Sequence, residues 1–391
     1  MVVSIFFMTL TTVYAQNESD TEESTSDNQT GMEMSDERRE DSAHDSSEMG
    51  NNAHGGRHAR PDAVAPAGVM GDHTHHEGRW MVSLKFMSME MDGNRLGDDR
   101  KSLEEMFYFP QYSPQFTTVK SNGQFVQVLN PGAYYYSAVP IRMRMNMYMA
   151  GAMYGVSDNL TIMNTLPLMK ISMDHMTRRG QLFKTETDGV GDYRFGMLYR
   201  FVNTDMHRLH WNLGLSLPTG SIEKKDDTPV GYKQKLPYPM QTGSGTYDIL
   251  PGVTYRGFAE DFSWGAQLLA TLRTSQNKND YRLGNVYESS LWIAYRLLDW
   301  LSVSARLNGI ERDNIEGADP DYDPQFIATA DPERRGGRVV RALLGFNFLI
   351  PGETFGGLRL NLEYGEPIYQ HLNGPQLEED ALFSAGVLYA F

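Results

Sequence analysis

From Trp80 to the C-terminus, apolar and polar residues alternate in segments of roughly ten, and turn residues separate the segments. A period of two is the side-chain period of a β-strand. In WMVSLKF, Trp80, Val82, Leu84 and Phe86 share a face opposite Met81, Ser83 and Lys85. In LHWNLGLSL, Leu209, Trp211, Leu213, Leu215 and Leu217 oppose His210, Asn212, Gly214 and Ser216. YRFGMLYRF, FSWGAQLLATLR, LSVSARLN and LRLNLEYG alternate in the same way. Soluble sandwiches alternate too, so the connections must decide. Short links (155–159, 204–207, 259–261, 297–299) alternate with long polar ones (about 92–138, 173–189, 222–242, 277–283, 313–336 and 371–378). Short turns at one end and long loops at the other mark outer-membrane barrels. The sequence therefore predicts an all-β fold, a closed antiparallel transmembrane β-barrel of about 12 strands, over residues 78–391. The ending LFSAGVLYAF, with Phe391 last, is similar to the C-terminal signal of bacterial outer-membrane barrels.

The rest of the chain fits export. MVVSIFFMTLTTVYA, residues 1–15, reads as a signal peptide, with Val13 and Ala15 at the −3 and −1 positions of a cleavage site. No other apolar run approaches the roughly 18–20 residues of a spanning helix, and the absence of cysteine excludes disulfides and thiolate chemistry. Residues 16–77 are acidic and polar, and are expected to form a disordered periplasmic tail containing His and Met. A net charge of −15 argues against a nucleic-acid partner. The expected partners are outer-membrane lipid and lipopolysaccharide, the barrel-assembly machinery acting on the Phe391 strand, and a small solute.

Three stretches carry a resemblance: DGVGD at 188–192, LSLPTGS at 215–221 and GSGTYDILPGVTY at 243–255. Their succession resembles outer-membrane barrels of the meta-pathway phenol-degradation type, often labelled transporters. GDHTHHEGRWMVS and the following MDGNR resemble a subset of them. The resemblance implies passage of small molecules, historically aromatic compounds. The Tyr-, Phe-, Gln- and Pro-rich insert near 101–136 departs from the family and is expected to extend the first outer loop.

If apolar faces look to lipid, the lumen is lined by Arg142, Arg144, Arg194, Arg200, Arg256, Arg273, Arg296, Arg306, Arg341, Arg359 and Glu363. Such arginines either set anion preference or close the lumen by pairing with carboxylates; the second is expected. The same rule sends Met143, Met145, Met147 and Met149 of RMRMNMYM out to lipid. On the neighbouring strands Met81, Met87, Met89, Met91, Met163, Met169 and Met173 face inward, with His175 and Met176 just beyond. Thioethers suit Cu(I), so Met87, Met89, Met91, Met169, Met173, His175 and Met176, with His73, His75 and His76 of the tail, form a candidate metal set. Apolar filling is the competing role. No catalytic constellation and no cofactor are expected, a copper ion being the one alternative. Passage of small apolar or aromatic solutes is the expected function, against a soft-metal barrel or a structural barrel with a closed lumen.

Overall fold

A computed structural model describes residues 60–108, 116–121, 124–129, 136–324, 326–351 and 357–391. The signal peptide and most of the tail lie outside the described residues. The barrel strands are β1 (Trp80–Gly97), β2 (Ala138–Gly155), β3 (Leu160–Thr177), β4 (Tyr193–Asn203), β5 (His207–Leu217), β6 (Asp248–Phe258), β7 (Phe262–Arg273), β8 (Val286–Leu298), β9 (Leu301–Arg312) and β10 (Gly337–Leu349). Each pairs antiparallel with the next. The last element, Leu358–Ala390, pairs with β10 along 359–372 and with β1 along 372–390. Arg359 stands opposite Leu349 and Ala390 opposite Met81, both at the short-turn rim, so the chain reverses between these arms. We number them β11 and β12. Among the described residues the ring closes with twelve passes, and none of these leaves an edge for lipid to meet.

The outer face explains the sequence pattern. Trp211, Leu213, Tyr199, Ile293, Leu307, Phe346 and Tyr364 are exposed apolar side chains, while His210, Asn212, Ser290, Arg306, Asn308 and Asn361 are buried inside. On β1 and β2 the outward cross-strand pairs climb in a fixed order. Trp80–Tyr154, Val82–Ala152, Leu84–Ala150 and Phe86–Tyr148 are apolar; Ser88–Asn146, Glu90–Arg144 and Asp92–Arg142 follow above them. The rings of Trp80 and Tyr154 lie 4.7 Å apart and those of Phe86 and Tyr148 5.1 Å apart, so aromatics bound the apolar band on this side.

This order corrects the expectation for RMRMNMYM. Arg142 and Arg144 point out of the barrel, to Asp92 and Glu90 at 2.6 Å each, and the methionines between them point in. The cause is length. At about 3.3 Å per residue an 18-residue strand runs about 60 Å, well beyond an apolar band about 25 Å tall. Above that band the outer face meets water and headgroups and must be polar.

A second correction concerns residues 60–77, expected in the disordered tail. They enter the lumen from the short-turn rim, rise to Gly68–Gly71 and return to the rim. Arg60 donates to the Ala259 carbonyl (2.7 Å) at one end, and the Gly78 amide donates to the Gly155 carbonyl (2.9 Å) at the other. The run AVAPAGVM is small and apolar, unlike the acidic stretch before it, and Val64, Ala65, Ala67 and Val69 are buried. Ala65 and Val69 pack on Trp292. Polar wall groups satisfy the segment's backbone, as burial requires.

Candidate functional site

The lumen is closed from below by this plug, which the wall holds at every level. Lys85 Nζ donates to the carbonyls of Ala67 (3.0 Å) and Val69 (2.9 Å). Asn212 and His210 Nε2 meet the Gly71 carbonyl at 2.9 Å, and Gln267 donates to that of Met70 at 2.9 Å. Arg256 donates to the Ala63 carbonyl (2.7 Å) and Arg359 to that of Arg60 (2.8 Å). Asp72 folds back to accept the Ala65 amide (2.7 Å) and lies 3.6 Å from Arg256. Burial alone would raise the Asp72 carboxyl. His73 at 2.8 Å, Arg256 and the Ala65 amide outweigh it and hold the group well below the usual carboxylate range. Gly68 sits where an added Cβ would come within 2.3 Å of Arg306 Nη2 and 2.7 Å of Glu363 Oε2, so a side chain there would have to displace that buried pair.

From above, the loop between β5 and β6 folds inward. The three stretches that carried the resemblance meet where it is anchored. Asp192, ending DGVGD, accepts the amides of Gly220 (3.0 Å) and Ser244 (2.8 Å) and the Ser244 hydroxyl (2.7 Å). Thr219 Oγ1 donates to the Gly191 carbonyl at 2.8 Å. Gly220 and Gly243 cross so closely that a Cβ on either would meet the other's backbone at 2.5 Å. Beyond this knot Leu236 and Met240 are buried against Met143, Ile171 and Met173 of β2 and β3. The other outer loops cover the fold-in. Lys235 reaches Asp319 at 2.7 Å, and Tyr238, Tyr281 and Ile315 form a small core. Burial pushes the Tyr238 phenol up to about 12.

Between plug and loop the two sides of the lumen differ. Charge dominates β4 and β6–β12. Arg306 and Glu363 form a bidentate pair at 2.8 Å, almost wholly buried. Arg341 pairs with Glu379 at 2.7 Å and donates to Asn308 Oδ1, while Arg273 pairs with Asp248. Near the lower rim Arg296 pairs with Asp261 at 2.7 Å and Arg200 donates to the Asp158 carbonyl. Arg194 shares the inward face of β4 with Leu198. Carboxylate pairing, rather than a ring of free guanidinium groups, accounts for most of the inward arginines.

The other side, β1–β3, is a sheet of methionine. Met81, Met87, Met89 and Met91 face Met153, Met147, Met145 and Met143 in register. On β3, Met163, Met169 and Met173 continue the rows from Met153, Met147 and Met143. Met149 faces inward with them, so twelve methionines line one wall. The rows at 87, 89, 145 and 147 are partly accessible, whereas Met81 and Met153 are buried beside the plug.

The remaining candidates separate. His175 is buried on the lumen face two residues above Met173 and stacks on Phe183. Met176 points the other way, against Met106, Tyr136 and Val139, and does not join the cluster. His73 and His75 touch edge to face, with centroids 4.9 Å apart, while His76 turns out to Asp158 at 3.0 Å. Among the described residues no three His, Asp or Glu side chains gather as a metal site. Met240 and Glu379 are not among the sequence candidates, and Lys85 and Asp72 stand in WMVSLKF and GDHTHHEGRWMVS without a role. The composition change at residue 61 was the one signal for the plug.

Among solved structures, the COG4313 outer membrane channel from Pseudomonas putida F1 overlays with a TM-score of 0.55 at 14% identity, covering 84% of this chain and 100% of that one. A Pseudomonas aeruginosa FadL homologue overlays loosely (TM-score 0.38, 12% identity, 80% of this chain, 90% of that one). So does the P. putida toluene transporter TodX (0.36, 11%, 81% and 90%). No curated protein matches the chain by sequence. The first overlay shows the same barrel fold, that of an outer-membrane protein. A match over residues 120–329, more than half of the chain, shows that it belongs to the family described as "Putative MetA-pathway of phenol degradation".

Proposed function

We propose that the barrel passes small apolar or aromatic compounds across the outer membrane and is not an open pore for hydrated solutes. The observation that carries this reading is the partly accessible methionine wall between a plugged lower lumen and an infolded loop. A water-filled pore gains nothing from thioether side chains. Methionine is apolar, polarizable and adaptable, and makes favourable contacts with aromatic rings. The description of the family to which the chain belongs supports an aromatic solute, and the outer membrane channel that it overlays supports passage.

Partners follow from the surface. The charged rungs above Phe86 and Tyr148 are suited to lipopolysaccharide headgroups. The exposed ring of Phe391, whose backbone closes on Trp80 in both directions at 2.9 Å, is suited to recognition by the barrel-assembly machinery. No catalytic role is proposed. Asp174 and His175, the adjacent acid and base, project from opposite faces of β3.

Purified protein in liposomes tests the reading. Phenol or toluene is expected to enter faster than into protein-free vesicles, with little swelling in sugars. Rapid sugar flux would make it a general pore, and no flux of any solute would make it a structural barrel.

A further inference from the structure

The upper end of the methionine wall is more than a lining. Met143, Met173 and Met240 are buried together with Ile171 and Leu236, and Met91, Met145 and Met169 pack against them. These thioethers come from four separate parts of the chain. Register sets Met91, Met143 and Met173 in one row across β1, β2 and β3. Met240 is brought over that row by the infolded loop, where its carbonyl accepts the Thr187 hydroxyl at 2.9 Å. His175 stands on the same face of β3, 2% exposed, its Nδ1 buried without a well-formed hydrogen bond.

Packing alone does not call for sulfur here. Leucine and isoleucine already fill the same cluster at 236 and 171, and ordering a long flexible side chain carries a greater entropic cost. Electrostatics are permissive. Arg142 and Arg144, the cations adjacent in sequence, lie on the opposite face and are neutralised by Asp92 and Glu90. Glu379, facing Met91 across the sheet, is the nearest carboxylate in register and is shared with Arg341.

We propose that Met91, Met143, Met173 and Met240, with His175 at the upper edge, form a binding site for a soft monovalent cation of the Cu(I) or Ag(I) type. Neutral thioethers select such ions over Zn(II), which favours nitrogen, oxygen and thiolate ligands. One positive charge in a neutral, partly desolvated cluster also costs less to bury than two. Thioethers do not protonate in the biological range, so binding to the methionine ligands survives mild acid. Imidazole sites such as those of the tail lose affinity below about pH 6.5.

Ag(I) binding to the full-length protein in detergent at pH 5, read by equilibrium dialysis, tests the site. The parent is expected to hold one more tightly bound Ag(I) than the Met143→Leu/Met173→Leu/Met240→Leu variant. A Met197→Leu/Met206→Leu control, altered at an outward side chain and a short turn, is expected to match the parent. Heat-modifiable migration on gels checks that each barrel is folded. Should the triple variant not fold, Met173→Leu and Met240→Leu singly are expected to weaken Ag(I) binding at least tenfold. Equal stoichiometry and affinity in parent, variants and control would overturn the proposal and return the cluster to apolar packing. Leucine preserves the apolar wall, so that outcome would leave the passage of apolar solutes standing.

Discussion

Arg144 reaches Glu90 at 2.6 Å on the outside of the barrel, while Met145, the next residue, faces Met89 on the inside. The pair therefore tells which face of the upper sheet meets solvent. In barrels whose plug is released by Asp72→Asn, replacing Arg144 by Gln is expected to leave the reversal potential in a salt gradient unchanged. Replacing Arg341, which lies inside beside Glu379, is expected to shift it toward cation preference. A shift of equal size from Arg144→Gln would place that side chain in the lumen.

Much of this architecture was legible in the sequence. The outward sets on β4 to β9 followed from simple alternation, because there the strands are 11–13 residues long and little exceeds the apolar band. The same rule failed on β2, where both faces carry a plausible apolar set: Tyr148, Ala150, Ala152 and Tyr154 below, Met143 to Met149 above. Length separates them, and alternation has no information about height. The plug was hidden for another reason. Its backbone is satisfied by side chains such as Lys85 and Gln267 that are distant in sequence, and no local pattern reports such partners.

The plug should respond to the loss of Asp72. With Asn in its place, the buried Arg256 guanidinium loses the carboxylate 3.6 Å away and keeps only the field of Asp62, and the Ala65 amide loses a charged acceptor. Part of that loss can be relieved by undocking, so Asp72→Asn is expected to raise single-channel conductance while the barrel stays folded. The pH dependence has a definite sign. Because the folded-state value is depressed, this stabilisation is fully present above the unfolded carboxylate pKa, about 3.9. It is lost only as pH falls through the lower folded value. Conductance should therefore be insensitive to Asp72 from neutral pH down to about 4; opening centred near pH 6 would assign plug docking to another group.

The knot at Asp192 predicts a separate defect. Asp192→Ala removes three hydrogen bonds that tie residues 220 and 244 together. The barrel strands do not depend on them, so heat-modifiable migration is expected to persist. The loop bearing Leu236 and Met240 should loosen, giving faster protease cleavage between 218 and 247 than in the parent. Unchanged cleavage would mean that the Gly220–Gly243 crossing holds the loop by itself.

The wall rung formed by Met87, Met147 and Met169 separates polarity from shape. Gln has nearly the length of Met but brings an amide whose hydrogen bonds an aromatic solute cannot satisfy. Leu keeps both volume and apolarity, and such swaps usually cost under about 1.5 kcal/mol per site. Changing all three to Gln is expected to reduce phenol or toluene entry into liposomes several-fold. Changing all three to Leu is expected to leave it within about twofold of the parent. Equal aromatic flux through the Gln and Leu variants would show that solute does not travel along this wall, and the charged side of the lumen would then be the path to examine.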